Sequence, residues 1–144
     1  MTTAKVLAHP AATAKSFETA MAVAARLQPE DPVFCFSASE LTSRARQFID
    51  HFPGLVTYAV KCNPSPEVIA TLAAAGINTW DVASVYEMAA VAAVQPEARF
   101  HYHNPVKSRR EIEDAYRIHG CRRFVVDCRE ELQKITDIIG ADPS

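Results

Sequence analysis

Glycine is scarce in this sequence and never occurs as neighbouring residues. Only Gly54, Gly76, Gly120 and Gly140 occur among 144 residues. Neither G-x-G-x-x-G nor G-x-x-x-x-G-K-[ST] can therefore be written anywhere, which excludes both common glycine-loop nucleotide folds. The four cysteines, Cys35, Cys62, Cys121 and Cys128, form no C-x-x-C pair. Scattered thiols with no secretory signal ahead of them are expected to be reduced thiols of a cytoplasmic protein, not a disulfide frame or a zinc site. No apolar run approaches the ~18 residues of a membrane span, and the Ala/Thr-rich start lacks the h-region of a signal peptide, so no membrane partner is expected. Lys plus Arg number 15 against 17 for Asp plus Glu. That balance leaves no basic face for a phosphate backbone, and nucleic acid is not an expected partner either.

What is present is ordinary globular material, 49% hydrophobic and 22% charged, with a clear rhythm. Residues 1–30 read as a leader with one helix, in which Phe17, Met21, Ala24 and Leu27 recur at helical spacing until Pro29 and Pro32. The run V-F-C-F at residues 33–36 predicts a strand. A helix follows, with Leu41, Ala45, Phe48, Ile49 and Phe52 on one side, closed by Pro53-Gly54. From there a short apolar strand gives way to a capped helix four times, the strands being residues 55–60, 78–82, 99–103 and 123–126. Their starts lie 23, 21 and 24 residues apart, the length of one strand, one three-turn helix and two short loops. Ser65-Pro66-Glu67, the S-x-x-E boxes Ser84/Glu87 and Ser108/Glu111, and the looser pair Asp127/Glu130 mark helix starts. Gly76, Gly120 and Gly140 stand where helices should stop.

Strand and helix in this alternation demand right-handed crossovers and a parallel sheet. The missing glycine loop disfavours an open doubly wound sheet. The expected fold is α/β, the N-terminal half of a (β/α)8 TIM-type barrel, because eight units are needed to close one and four units plus a leading strand are present. Residues 31–144 form this partial barrel, with sheet edges left to associate.

Reactive groups of such barrels collect at the C-terminal strand ends. Reading just past or at the end of each apolar run gives Lys61, Asp81, His103 with Asn104, and Asp127. Lys61 follows L-V-T-Y-A-V directly, where a desolvated amine is freed to form a Schiff base. Alternatively its stem packs at the barrel mouth while its head stays in water. Asp81 either binds a cation or orients a lysine, or belongs to the turn ahead of Ser84. Glu87 either faces a ligand or caps its helix, the capping box explaining it structurally, and Asp127 reads as a helix N-cap rather than a catalytic acid. His101 and His103 share a strand face and could chelate a metal with His119, Cys121 or Cys128, but no ligand stands at a standard zinc spacing and no metal is expected. Arg109-Arg110 and Arg122-Arg123 read as solvated helix-end charges. Tyr58, Trp80 and Phe100 read as core aromatics.

The segment Tyr58-Ala59-Val60-Lys61-Cys62-Asn63-Pro64 resembles the pyridoxal-phosphate lysine motif of the ornithine/diaminopimelate/arginine decarboxylase family, the alanine-racemase-like barrel enzymes. Three more motifs follow in the family's order: T-L-A-A-A-G at residues 71–76, W-D-V-A-S-x-x-E at residues 80–87 and H-N-P-V-K-S at residues 103–108. The Asn-Pro-Val-Lys form is more similar to ornithine or ornithine/lysine decarboxylases than to diaminopimelate decarboxylases. Trp80 stands where the family commonly has phenylalanine.

The resemblance implies that Lys61 carries pyridoxal 5'-phosphate covalently and exchanges it for the amine of a small basic amino acid. It places Asp81, and with it Glu87, close to the cofactor and Ala59 on the strand beneath it. The implied reaction is decarboxylation, of ornithine to putrescine in polyamine biosynthesis, by a full-length homodimer. The family's ring-stacking group, phosphate loop, pyridine-nitrogen acid and cross-dimer cysteine and aspartate come later than Ser144, so this chain alone is expected to be inactive. Lysine, arginine or diaminopimelate as substrate, a non-catalytic decarboxylase-like regulator, and a cofactor-free Schiff-base aldolase are the other readings.

Overall fold

The computed structural model describes residues 17–140. The chain divides into two compact units, Met1–Phe36 and Ser37–Ser144. In the first, helix α1 spans Ala20–Leu27, its start capped by the Thr19 hydroxyl, which accepts from the Ala22 N–H at 3.1 Å. Phe17 precedes this helix, and Gln28 closes it in the left-handed region at φ 44°. The V-F-C-F run at residues 33–36 is not a strand. It has no ladder partner among the described residues, and β-forming side chains without backbone pairing do not make a strand.

The second unit begins with α2 (Ala38–His51), capped by Ser37. Then come β1 (Tyr58–Ala59), a 3-10 turn (Val60–Cys62), α3 (Pro66–Ala75), β2 (Thr79–Val82), α4 (Val85–Ala92), β3 (Arg99–Tyr102), α5 (Arg109–Arg117), β4 (Arg123–Phe124) and α6 (Arg129–Ile139). The four strands lie in sequence order and every pair is parallel. This is the alternating α/β architecture of the N-terminal part of a TIM-type barrel. Among the described residues no helix is long and apolar enough to cross a membrane.

Parallel pairing in register puts neighbouring side chains on one face. Tyr58, Trp80 and Phe100 share one rung, and Val82, Tyr102 and Phe124 share another. Trp80, Val82 and Tyr102 are wholly buried, in one core with Val68, Ile69 and Leu72 of α3, Met88 and Val91 of α4 and Ala115 of α5. The opposite face carries Ala59, Asp81, His101 and Arg123. Bulky apolar groups thus face the helices, while small and polar groups face the open side. In α2 the inward line is Leu41, Ala45 and Ile49. Phe48 and Phe52, expected beside them, are exposed at 59% and 56%, because Leu41, Ala45 and Ile49 already form a straight i, i+4, i+8 row.

The caps vary. Ser108 and Glu111 form a full reciprocal capping box. At α4 the Ser84 hydroxyl accepts from the Glu87 N–H, but the Glu87 carboxylate reaches one residue further, to the Ala83 N–H at 2.8 Å. Asp127 is not a cap: α6 starts one residue later than expected, at an N-cap Cys128 that makes no side-chain bond. Gly76 and Gly140 are C-caps with positive φ, whereas α5 ends at Arg117, before Gly120.

One buried ionic cluster fastens the last two strand–helix repeats of the second unit. Lys107, 1% exposed, directs its ammonium to the carbonyls of Asn104 and Val125, both at 2.8 Å, and to Glu131 of α6 at 3.0 Å. Lys134 closes the cluster on Glu131 and on the Lys107 carbonyl. Burial raises the Glu131 carboxyl, but the Lys134 and Lys107 hydrogen bonds outweigh it and leave it below its ordinary value.

Removing one member of a buried pair strands the other. Lys107→Met is expected to cost about 3–5 kcal/mol, read as a lower urea midpoint at unchanged slope. Since folding depresses the Glu131 carboxyl, its contribution is complete above the ordinary carboxylate value of about 4.3 and is lost as pH falls through the lower folded value. Glu131→Gln should therefore lower stability at neutral pH and flatten its decline in acid.

Candidate active site

The K-C-N-P segment is shaped by its neighbours. Val60 is wholly buried beneath the turn. The Tyr58 ring meets Trp80 edge-on at 6.0 Å, and its hydroxyl donates to the Asn63 carbonyl at 3.4 Å. The Asn63 side-chain oxygen accepts from the Ser65 N–H at 3.0 Å, an Asx-type turn that delivers the chain into α3 behind Pro66. Lys61 sits on the 3-10 turn between these anchors. Its side chain is exposed rather than held in apolar surroundings, so the desolvation expected from the preceding apolar run is absent here. The backbone leaves the strand after Ala59 and the turn lifts Lys61 off the sheet.

Of the lysines among the described residues, Lys107 and Lys134 are both spent on Glu131 and on backbone carbonyls. Among the described residues the Lys61 side chain makes neither an ion pair nor a hydrogen bond. An amine that condenses with an aldehyde must be accessible and able to lose its proton, which a lysine held in an ion pair resists. Lys61 meets that requirement and the other two do not.

Around it the sheet brings together several of the residues singled out by the sequence. Asp81 is the register partner of Ala59, two residues before Lys61. Its carboxylate pairs with Nδ1 of His103 at 3.0 Å, with the Asp81 side chain 28% exposed. His101 stands beside His103, ring centroids 5.8 Å apart. Burial holds the His101 imidazole below its ordinary value, helped by Arg123 and His103 and opposed by Asp81. Asn104 is a turn residue: its amide donates to the Ala83 carbonyl at 3.2 Å and its oxygen accepts from the Val106 N–H.

Other candidates lie elsewhere. Glu87 is committed to the α4 cap, and Asp127 is exposed in the loop ahead of α6. His119 packs edge-on against Phe100, and the buried Cys121 thiol donates to backbone carbonyls of Phe100 and Arg123. Among the described residues no three His, Cys, Asp or Glu side chains converge on a point. A cleft bordered by Leu55, Asn78, Thr79, Arg99, Gly120 and Arg122 lies at the N-terminal strand ends, away from Lys61. Sequence reading missed the burial of Lys107. Its sole advance signal was a lysine directly before the Ser108 cap, a place that spacing alone assigns to solvent.

A free strand-end lysine, a small residue on the strand below it and an acid on the next strand are groups with which a barrel enzyme can take a carbonyl compound. The family model for the pyridoxal-dependent decarboxylase, pyridoxal binding domain, matches residues 38–143, and the chain belongs to this family. It is 34% identical over 116 residues to the ornithine decarboxylase of Panagrellus redivivus, covering 80% of this chain and 26% of that protein. Against the diaminopimelate decarboxylase of Zymomonas mobilis it is 32% identical over 114 residues, covering 74% and 27%. The crystal structure of lysine decarboxylase from Selenomonas ruminantium superposes with a TM-score of 0.71 at 27% identity, covering 87% of this chain and 33% of that one. The chain thus spans about a quarter of the length of these two curated relatives. The matched cofactor is pyridoxal phosphate. The residues present fit it: an amine uncommitted among the described residues, the small side chain of Ala59 on the strand before it and the Asp81 carboxylate in register with Ala59.

Incubation with pyridoxal phosphate followed by borohydride should label Lys61 well ahead of Lys107 and Lys134, as mapped by peptide mass spectrometry. Preferential labelling of Lys107 would contradict the placement of its ammonium.

Proposed function

We propose that this chain supplies the cofactor lysine and part of the strand-end rim of a pyridoxal-phosphate-dependent decarboxylase acting on a basic amino acid. Ornithine is the substrate we assign, with putrescine as product and carbon dioxide released, in a cytoplasmic homodimer of the longer protein. The observation that carries this reading is the uncommitted Lys61 amine at the end of β1, with the other described lysines tied into the Glu131 cluster.

In this reading Lys61 Nζ would hold the cofactor through its aldehyde, and when free it would be a basic nitrogen on the rim able to accept or return a proton. Ala59 would face the cofactor without steric bulk, and Asp81 would bring a negative charge to the same face of the sheet. The Asn63 turn holds the segment that carries Lys61, so the amine approaches from a fixed side. When bound, pyridoxal phosphate supplies the electron sink for the pair left behind by the departing carboxylate. The choice of ornithine is supported by the Asn-Pro-Val-Lys motif at residues 104–107 and by the Panagrellus redivivus relative, named an ornithine decarboxylase.

The test is carbon dioxide release by the complete gene product with ornithine, lysine, arginine and diaminopimelate. Ornithine should give the highest kcat/KM, and Lys61→Ala should lower turnover by more than about a hundredfold. Full activity of Lys61→Ala would sink the assignment, and a preference for diaminopimelate would replace the substrate.

A further inference from the structure

Asp81 stands at the level of Ala59, two residues before Lys61, yet its ion pair is to His103 and not to Lys61. His103 is well placed to hold it. The His103 N–H donates to the Val82 carbonyl at 2.8 Å, which extends the β2–β3 ladder one residue beyond the strand, and Asn104 is fastened to the Ala83 carbonyl. The carboxylate accepts, so Nδ1 carries the hydrogen, in the neutral Nδ1–H tautomer and in the protonated ring alike. The pair is partly shielded, the side chains being 48% and 28% exposed.

We propose that His103 is a positioning residue that holds the Asp81 carboxylate on the open face and keeps it off Lys61, leaving the Lys61 amine free to take an aldehyde. An unrestrained carboxylate on the strand beside Lys61 would attract its ammonium, and an ion-paired ammonium has no lone pair to offer. Nothing else among the described residues pairs with the Asp81 carboxylate. The inference rests on Lys61 as the cofactor lysine.

The experiment uses the complete gene product freed of cofactor. Pyridoxal phosphate is added at one fixed pH, and borohydride-fixable incorporation is followed by intact-protein mass over time. His103→Ala should slow incorporation by about tenfold, the scale of coupling between contacting groups. His103→Asn, which keeps an N–H donor near the place of Nδ1, should stay within about twofold of wild type. In an Asp81→Asn background, where no carboxylate remains to restrain, His103→Ala should change the rate little. The proposal is overturned if His103→Ala reacts at the wild-type rate, if His103→Asn is as slow as His103→Ala, or if His103→Ala slows the Asp81→Asn protein by the same factor. Undiminished incorporation into Lys61→Ala would instead overturn the cofactor lysine itself.

Discussion

The site depends first on the in-register parallel ladder. Because Tyr58 pairs with Trp80 and Trp80 with Phe100, three aromatic rings point to the helices from one rung. The next rung, Ala59, Asp81, His101 and Arg123, must then point the other way. A slip of one residue on β2 would bury a carboxylate under α4 and expose an indole. The energetics of the core and the placement of the polar face are therefore one constraint. Burial of the Trp80 ring, whose N–H is satisfied by Gln95 at 2.8 Å, is what fixes Asp81 beside Ala59.

The second layer of control lies at the C-terminal strand ends, where each chain exit is tied. Asn63 organises the exit from β1, and Ser84 with Glu87 that from β2. Asn104 and the Lys107–Glu131–Lys134 cluster fasten the exits from β3 and β4. Cations are consumed in this work, with one exception among the lysines described. The N-P-V-K motif thus spends its lysine on structure, whereas the Y-A-V-K motif leaves its lysine available, although both follow strands.

Much of this was legible in the sequence because it is local chemistry. The S-x-x-E boxes, Pro66 at the first position of α3 and Gly76 with positive φ are decided within a few residues. The strand-helix rhythm and the family motifs gave the fold and the cofactor. What stayed hidden depends on partners distant in sequence. A strand exists only where another pairs with it, so V-F-C-F is none, and β1 and β4 shrink to two residues each. Lys107 is buried against Glu131, which arrives from 24 residues away. The Asp81–His103 pair joins two adjacent strands, a contact that neither motif announces alone.

The most direct measurement of the account is a crystal structure of the complete gene product grown with pyridoxal phosphate. The account predicts continuous electron density from Lys61 Nζ to the cofactor on the open face, with Lys107 still buried against Glu131. Density joining the cofactor to another lysine, or a cofactor seated in the cleft at the N-terminal strand ends, would contradict it.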